Sequence, residues 1–147
     1  GQIVISGEVT ALLRAMDLAK EAGAKRVARL GISIASHSPL MAHASAQFAA
    51  EVASTNFSIP SVPVVANVTA LPMTTVQEIR DELSVQIERP VNWTGSVRSM
   101  VDAGVTTFVE IGPGNVLAGL NKRISRETPT VSIVDLGLDL PADARPA

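Results

Sequence analysis

Cysteine and tyrosine are both absent from this chain of 147 residues. Without cysteine it can form no disulfide, no thiolate metal site and no thiol nucleophile. Aromatic residues make up only 3% of it. They are Phe48, Phe57, Trp93 and Phe108, so a core must be built from Val, Ile, Leu, Met and Ala, as in many α/β layers. No uninterrupted apolar run approaches the ~18 residues of a membrane span, and no membrane partner is expected. A basic excess is missing as well: Lys and Arg number 12 against 14 Asp and Glu, for a net charge of -2. That balance disfavours nucleic acid as a partner, because phosphate neutralisation needs surplus cations. With 18% charged against 46% hydrophobic residues, the chain is not a disordered segment, which would be rich in charge and poor in apolar side chains. It opens Gly1-Gln2-Ile3-Val4, with neither an initiator Met nor a signal-peptide pattern. That opening suggests a piece of a longer chain, and a cytoplasmic location is expected.

What is present alternates short β-branched runs with amphipathic stretches, the pattern of an α/β protein. The run Gln2–Ser6, stopped by Gly7, predicts a strand. Val9, Leu12, Leu13, Met16 and Ala19 recur every three or four residues and predict a helix over 8–22, with Gly23 as its terminator. A second strand is expected over 27–34. Pro39, suited to a first helical turn, opens a helix to about Ser54, with Leu40, Ala44, Phe48 and Val52 facing inward. Val62–Val68 reads as a buried strand. Val76, Ile79, Leu83 and Ile87 stripe a third helix, which Pro90 must end near Glu88. A short fourth helix over 94–103 buries Val97, Met100 and Val101 and stops at Gly104. Val105–Ile111 reads as a strand, Gly112-Pro113-Gly114 as a turn, and Val116, Leu117, Leu120 and Ile124 as the stripe of a fifth helix. Thr130–Val134 reads as the last strand, and the Asp-, Pro- and Ala-rich residues beyond Leu136 as a loose tail.

Few residues could carry chemistry. His37 stands in Ile34-Ala35-Ser36-His37-Ser38-Pro39, between a strand end and a helix start. An imidazole there can act as a general base, since its unperturbed pKa of ~6.5 lies near working pH, or it can simply bond a nearby loop carbonyl. His43, the other histidine, lies six positions on and shares no helical face with it, so the pair is not a helical metal site. No metal and no cofactor is expected. Gly112-Pro113-Gly114 invites a phosphate reading, but the third glycine of the dinucleotide fingerprint is replaced by Leu117, and a tight turn explains the pair better. Pro90 has no N–H, so the carbonyl of Gln86, four residues earlier, loses its helical donor and must find another partner or water. Asn56-Phe57-Ser58, Asn67-Val68-Thr69 and Asn92-Trp93-Thr94 match the glycosylation sequon and are read as chance matches. Lys25, Arg26 and Arg29, like Lys122, Arg123 and Arg126, form small basic clusters, read as solvated faces. No Gly-x-Ser-x-Gly elbow occurs. The residues thus offer a base and no nucleophile.

Three segments in this order are similar to a known family: Ser36-His37-Ser38-Pro39-Leu40-Met41, Gln86-Ile87-Glu88-Arg89-Pro90-Val91-Asn92-Trp93, and Glu110-Ile111-Gly112-Pro113-Gly114-Asn115-Val116-Leu117 with Gly119-Leu120 and Lys122-Arg123-Ile124. They resemble the C-terminal half of the malonyl-CoA:acyl carrier protein transacylases, and Gly1-Gln2-Ile3-Val4-Ile5-Ser6-Gly7 is similar to part of that family's small subdomain. The resemblance implies an α/β-hydrolase-like core preceded by the second half of a ferredoxin-like subdomain. Residues 1–34 would belong to the subdomain, 35–136 to the core and 137–147 to the tail. It implies transfer of a malonyl group from coenzyme A to the phosphopantetheine thiol of acyl carrier protein, with malonyl-CoA and acyl carrier protein as partners. The family's nucleophilic serine, its oxyanion amides and its carboxylate-binding arginine fall in an N-terminal half outside this sequence. The catalytic histidine maps on His37, and the glutamine whose main-chain carbonyl orients it maps on Gln86. Where the family often reads Gln-Leu-Tyr-Asn-Pro, this chain has Gln86-Ile87-Glu88-Arg89-Pro90, keeping the Gln and the Pro. Ser36 precedes the histidine as in single-domain malonyl enzymes, which makes it a substrate-binding candidate and favours malonyl. Such a fragment is expected to be inactive alone and to leave strand edges or apolar faces bare. The competing readings are a non-enzymatic α/β binding module, a phosphate or nucleotide binder, and the acyltransferase domain of a polyketide synthase.

Overall fold

A computed structural model describes residues 2–133 and Leu136. Two compact units emerge from it, one running Ile3–Asn92 and the other made of Gln2 and the described residues from Trp93 onward. The expected loose tail over 137–147 lies outside the described residues.

In the first unit α1 spans Val9–Glu21. The Glu8 carboxylate caps it, accepting the N–H groups of Thr10 and Ala11 at 3.0 Å each. Its end follows from Gly23, whose φ of +86° is open to glycine at no steric cost. Gly23 N–H returns to the Lys20 carbonyl at 2.9 Å and Ala24 N–H to the Ala19 carbonyl at 3.0 Å, closing the last turn. A 3-10 turn over Pro39–Met41 leads into α2, Ala42–Ser54. A small antiparallel pair, β1 (Val64–Val65) with β2 (Pro72–Met73), precedes α3, Val76–Val85. Thr75 and Glu78 cap α3 reciprocally, each side chain taking the other's main-chain N–H. Val52, Ala66, Ala70 and Ile79 form the buried apolar residues of this unit.

In the second unit α4 spans Trp93–Asp102 and ends through Gly104 as α1 does through Gly23. Two parallel strands, β3 (Phe108–Glu110) and β4 (Thr130–Ser132), pair Phe108 with Thr130 and Glu110 with Ser132. Between them α5, Val116–Ile124, makes the crossover that a parallel pair requires. Val97 is fully buried here. The buried Asn121 joins the Trp93 indole N–H (3.0 Å) to the Thr130 hydroxyl (3.1 Å). The architecture is α/β. Among the described residues no helix is long and apolar enough to cross a membrane.

Several sequence expectations need correction. No strand forms over 2–6 or 27–34. These runs have β-branched side chains but no ladder partner among the described residues, and strand propensity is realised only through pairing and packing. Their apolar residues stay exposed: Ile3, Val4, Ile5, Leu30, Ile32 and Ile34. Helix α1 has the expected period, yet none of its residues is buried and Val9 and Leu13 are exposed. The inward face of α2 carries Ser45 and Val52, whereas Leu40 and Phe48 are exposed. Leu40 sits in the 3-10 turn, which advances at three residues per turn and so falls out of phase with the α-helix. Ser45 Oγ then donates to the Ser84 carbonyl at 2.7 Å, turning that face toward α3. The strands expected over 62–68 and 105–111 are shorter than their apolar runs. Val134 lies outside the described residues.

Candidate active site

The third helix delivers the site's acceptors. Gln86 is its C-cap and still donates its own N–H to the Glu82 carbonyl at 2.9 Å. Beyond it the chain tightens: the N–H groups of Glu88 and Arg89 both turn to the Val85 carbonyl, at 3.0 and 3.1 Å. Pro90, the residue whose N–H would have continued the helix to Gln86, has none. The carbonyls of Gln86, Ile87 and Arg89 are thereby left for a donor outside the helix.

His37 is that donor. Its main-chain N–H reaches the Ile87 carbonyl at 2.8 Å. Its ring Nδ1 lies 2.7 Å from the Gln86 carbonyl oxygen and 3.2 Å from that of Arg89. Both neighbours are acceptors only, so Nδ1 carries the proton and Nε2 is the basic nitrogen of the neutral ring. The backbone of His37 sits at φ +60°, a left-handed conformation rare for a residue with a Cβ. That strain is held by hydrogen bonds at both the backbone and the ring, as happens where local geometry is over-determined. The structure thus brings together the two residues that the resemblance singled out, and the Gln86 carbonyl that Pro90 leaves without a helical donor is the one that meets the ring. Ser36 is half-buried beside His37. Ser38, buried, ties the turn shut by donating to the Ala35 carbonyl at 2.7 Å. His43 is exposed on α2.

Behind the imidazole stands a polar cluster that sequence reasoning did not find. The Glu82 carboxylate is buried on α3 and accepts the Asn67 N–H at 2.7 Å and the Val68 N–H at 3.2 Å. The Asn67 side-chain amide donates to Gln86 Oε1 at 3.2 Å, and its carbonyl accepts the Asn92 N–H at 2.7 Å. One signal was available: Glu82 lies three residues after Ile79 and four before Gln86, on the inward side of α3, where a carboxylate must find donors.

In the second unit Gly112-Pro113-Gly114 is a turn, with φ of +145° at Gly112 and +84° at Gly114. The amides that open α5 are occupied from within. The buried Glu110 carboxylate accepts Leu117 N–H at 3.0 Å and Ala118 N–H at 2.9 Å. A carboxylate already fills the place that a phosphate would take at this helix N-terminus, so the phosphate-binding reading loses its site.

No protein-family model matches the chain. Among curated proteins it is 41% identical over 136 residues to the malonyl CoA-acyl carrier protein transacylase of Haemophilus influenzae, covering 92% of this chain and 44% of that protein. It is 47% identical over 124 residues to that of Escherichia coli K12, covering 84% of this chain and 40% of the other. Of the solved structures, an acyl carrier protein S-malonyltransferase from Vibrio cholerae superposes with a TM-score of 0.84 at 39% identity, over 90% of this chain and 45% of that one. A malonyl-transacylase solved in complex with its type II PKS acyl-carrier protein superposes at 0.81 with 40% identity, over 86% and 40%. The chain therefore spans less than half the length of the relatives it matches.

Proposed function

We propose that the chain is part of a malonyl CoA-acyl carrier protein transacylase and supplies the base and its orienting carbonyl to a malonyl transfer whose nucleophile lies on sequence outside these 147 residues. The reaction moves malonyl from coenzyme A to the phosphopantetheine thiol of acyl carrier protein, in the cytoplasm and without a cofactor. The observation that carries this reading is the 2.7 Å approach of His37 Nδ1 to the Gln86 carbonyl. A proton fixed on Nδ1 leaves Nε2 as acceptor, which is what a general base for a hydroxyl or a thiol requires.

In the first half-reaction His37 Nε2 takes the proton of a serine hydroxyl as its oxygen attacks the malonyl thioester carbon. The C–S bond then breaks, and the imidazolium returns that proton to the departing thiolate of coenzyme A. In the second, Nε2 takes the proton of the pantetheine thiol, sulfur attacks the malonyl ester carbon, the C–O bond to serine breaks, and the proton returns to the serine oxygen. The Gln86 and Arg89 carbonyls face the imidazolium in both halves and stabilise its charge without titrating themselves. Ser36, beside the base, is the substrate-binding candidate. The larger frame proposed is an α/β-hydrolase-like core over 35–136, with residues 1–34 as part of a ferredoxin-like subdomain. The exposed Ile3, Val4, Ile5, Leu30, Ile32 and Ile34 then have a use, as apolar surface for the rest of that frame to cover. Adding the remaining portion of a relative such as the Haemophilus influenzae protein to this chain should give malonyl transfer that His37→Ala slows by ~10²–10⁴-fold. Transfer unaffected by that change would remove the reading.

A further inference from the structure

Asn67 touches both ends of the segment that holds the imidazole. Its side-chain amide meets Gln86 Oε1 at 3.2 Å, and its carbonyl takes the Asn92 N–H at 2.7 Å. Between those two grips run the carbonyls of Gln86, Ile87 and Arg89, all of which face His37. Asn67 is itself pinned. Its N–H, with that of Val68, is bound by the buried Glu82 carboxylate one helical turn before Gln86. Two further bonds, from Ala66 N–H to the Leu71 carbonyl at 2.9 Å and from Ala70 N–H to the Ala66 carbonyl at 3.1 Å, close the loop that carries it. Ala70 reaches φ +60° in doing so. A left-handed alanine and a buried carboxylate both cost free energy, and here both serve to fix the loop.

From this arrangement we propose that Asn67 is a positioning residue for the transfer chemistry: it braces the 86–92 arch so that the Gln86 carbonyl stays aimed at His37 Nδ1, and Glu82 holds Asn67 in place. The proposal rests on the reading of His37 as the base. Helix α3 ends at Val85, and Pro90 deprives the chain beyond it of a ladder bond. The Val85 carbonyl still holds the Glu88 and Arg89 N–H groups, but no helical bond reaches past Arg89, and among the bonds described Asn67 is the residue that joins position 86 to position 92. The Gln86 side chain is therefore part of the device, and Gln86→Ala is not the silent change that a purely main-chain role would imply.

The test reads the imidazole directly, in the 147-residue chain, with nitrogen-15 resonances of the histidine rings. His43, exposed on α2, is the internal reference. In the unsubstituted chain His37 should show a protonated Nδ1 and a bare Nε2. Asn67→Ala should turn that single tautomer into a mixture and speed solvent exchange of the Nδ1 proton roughly five- to tenfold, the loss of about one hydrogen bond's worth of hold. His43 and the helical circular dichroism should not move. Should Asn67→Ala lose its helical signal, Gln86→Met carries the same test, because it keeps bulk and removes only the amide that meets Asn67. A mixed tautomer already in the unsubstituted chain would overturn the assignment of His37 as an oriented base. A single tautomer that survives Asn67→Ala or Gln86→Met unchanged would overturn the positioning role alone.

Discussion

The Gln86 carbonyl oxygen lies 2.7 Å from His37 Nδ1, across 49 residues of sequence, with no carboxylate between them. A carbonyl in this place orients the ring by accepting a hydrogen bond from Nδ1–H as a carboxylate would, but carries no charge of its own. In the proposed transfer, an imidazolium at this place would be stabilised by the dipoles of the Gln86 and Arg89 carbonyls and not by an ion pair.

Pro90→Ala should weaken the site more than its distance from the ring suggests. It restores an N–H four residues after Gln86, which can take the Gln86 carbonyl into the helix and away from His37. In a transfer-competent form the expected loss is in kcat more than in KM, roughly ten-fold, the weight of one hydrogen bond to a charged group. Steady-state kinetics of the variant check it, and an unchanged kcat would deny that proline frees this carbonyl for His37.

Glu110→Ala should destabilise the second unit by about 1–3 kcal/mol, because the Leu117 and Ala118 N–H groups lose their buried acceptor. Glu110→Gln should cost less, since an amide oxygen still accepts one of them. Urea unfolding of the two variants gives the comparison. If added phosphate binds the Glu110→Ala chain and not the original, the carboxylate occupies an anion site.

Acid should fray α3 at its start. The Glu78 carboxyl is held below its usual value of 4.5, first by the Thr74 N–H, then by the Thr74 hydroxyl and the Thr75 N–H. Its folded pKa is depressed, so the stabilisation it gives is full above the unfolded pKa and is lost as pH falls through the folded one. Helicity followed by circular dichroism from neutral pH downward should therefore drop below about pH 4.5. In Glu78→Gln that part of the drop should be missing.

The helices were legible in the sequence because punctuation marks their ends: Gly23 and Gly104 terminate α1 and α4, and Pro90 lies just beyond α3. That the Gln86 carbonyl would be free was legible for a related reason, since a missing N–H at Pro90 is written in the sequence; that His37 meets it was implied only by the family resemblance. Runs 2–6 and 27–34 misled, because a strand depends on a partner and the pattern records only a willingness to pair. On the α2 face Val52 is buried as expected, but Leu40 lies in the 3-10 turn Pro39–Met41, outside the α-helical phase, and Ser45 and not Phe48 is buried against α3. Asn67 and Glu82 were passed over for a different reason. Asn67 was read as part of a chance sequon and Glu82 was not singled out at all, and only the fold shows that they meet behind Gln86.

The most direct measurement is transfer of labelled malonyl from coenzyme A to acyl carrier protein by three samples: this chain alone, the chain completed by the remaining portion of a relative, and the completed form carrying His37→Ala. Transfer should be absent in the first and present in the second. In the third it should be lower by ~10²–10⁴-fold, as for the loss of a positioned base. Transfer by the chain alone, or a His37→Ala rate equal to that of the unsubstituted completed form, would contradict the account.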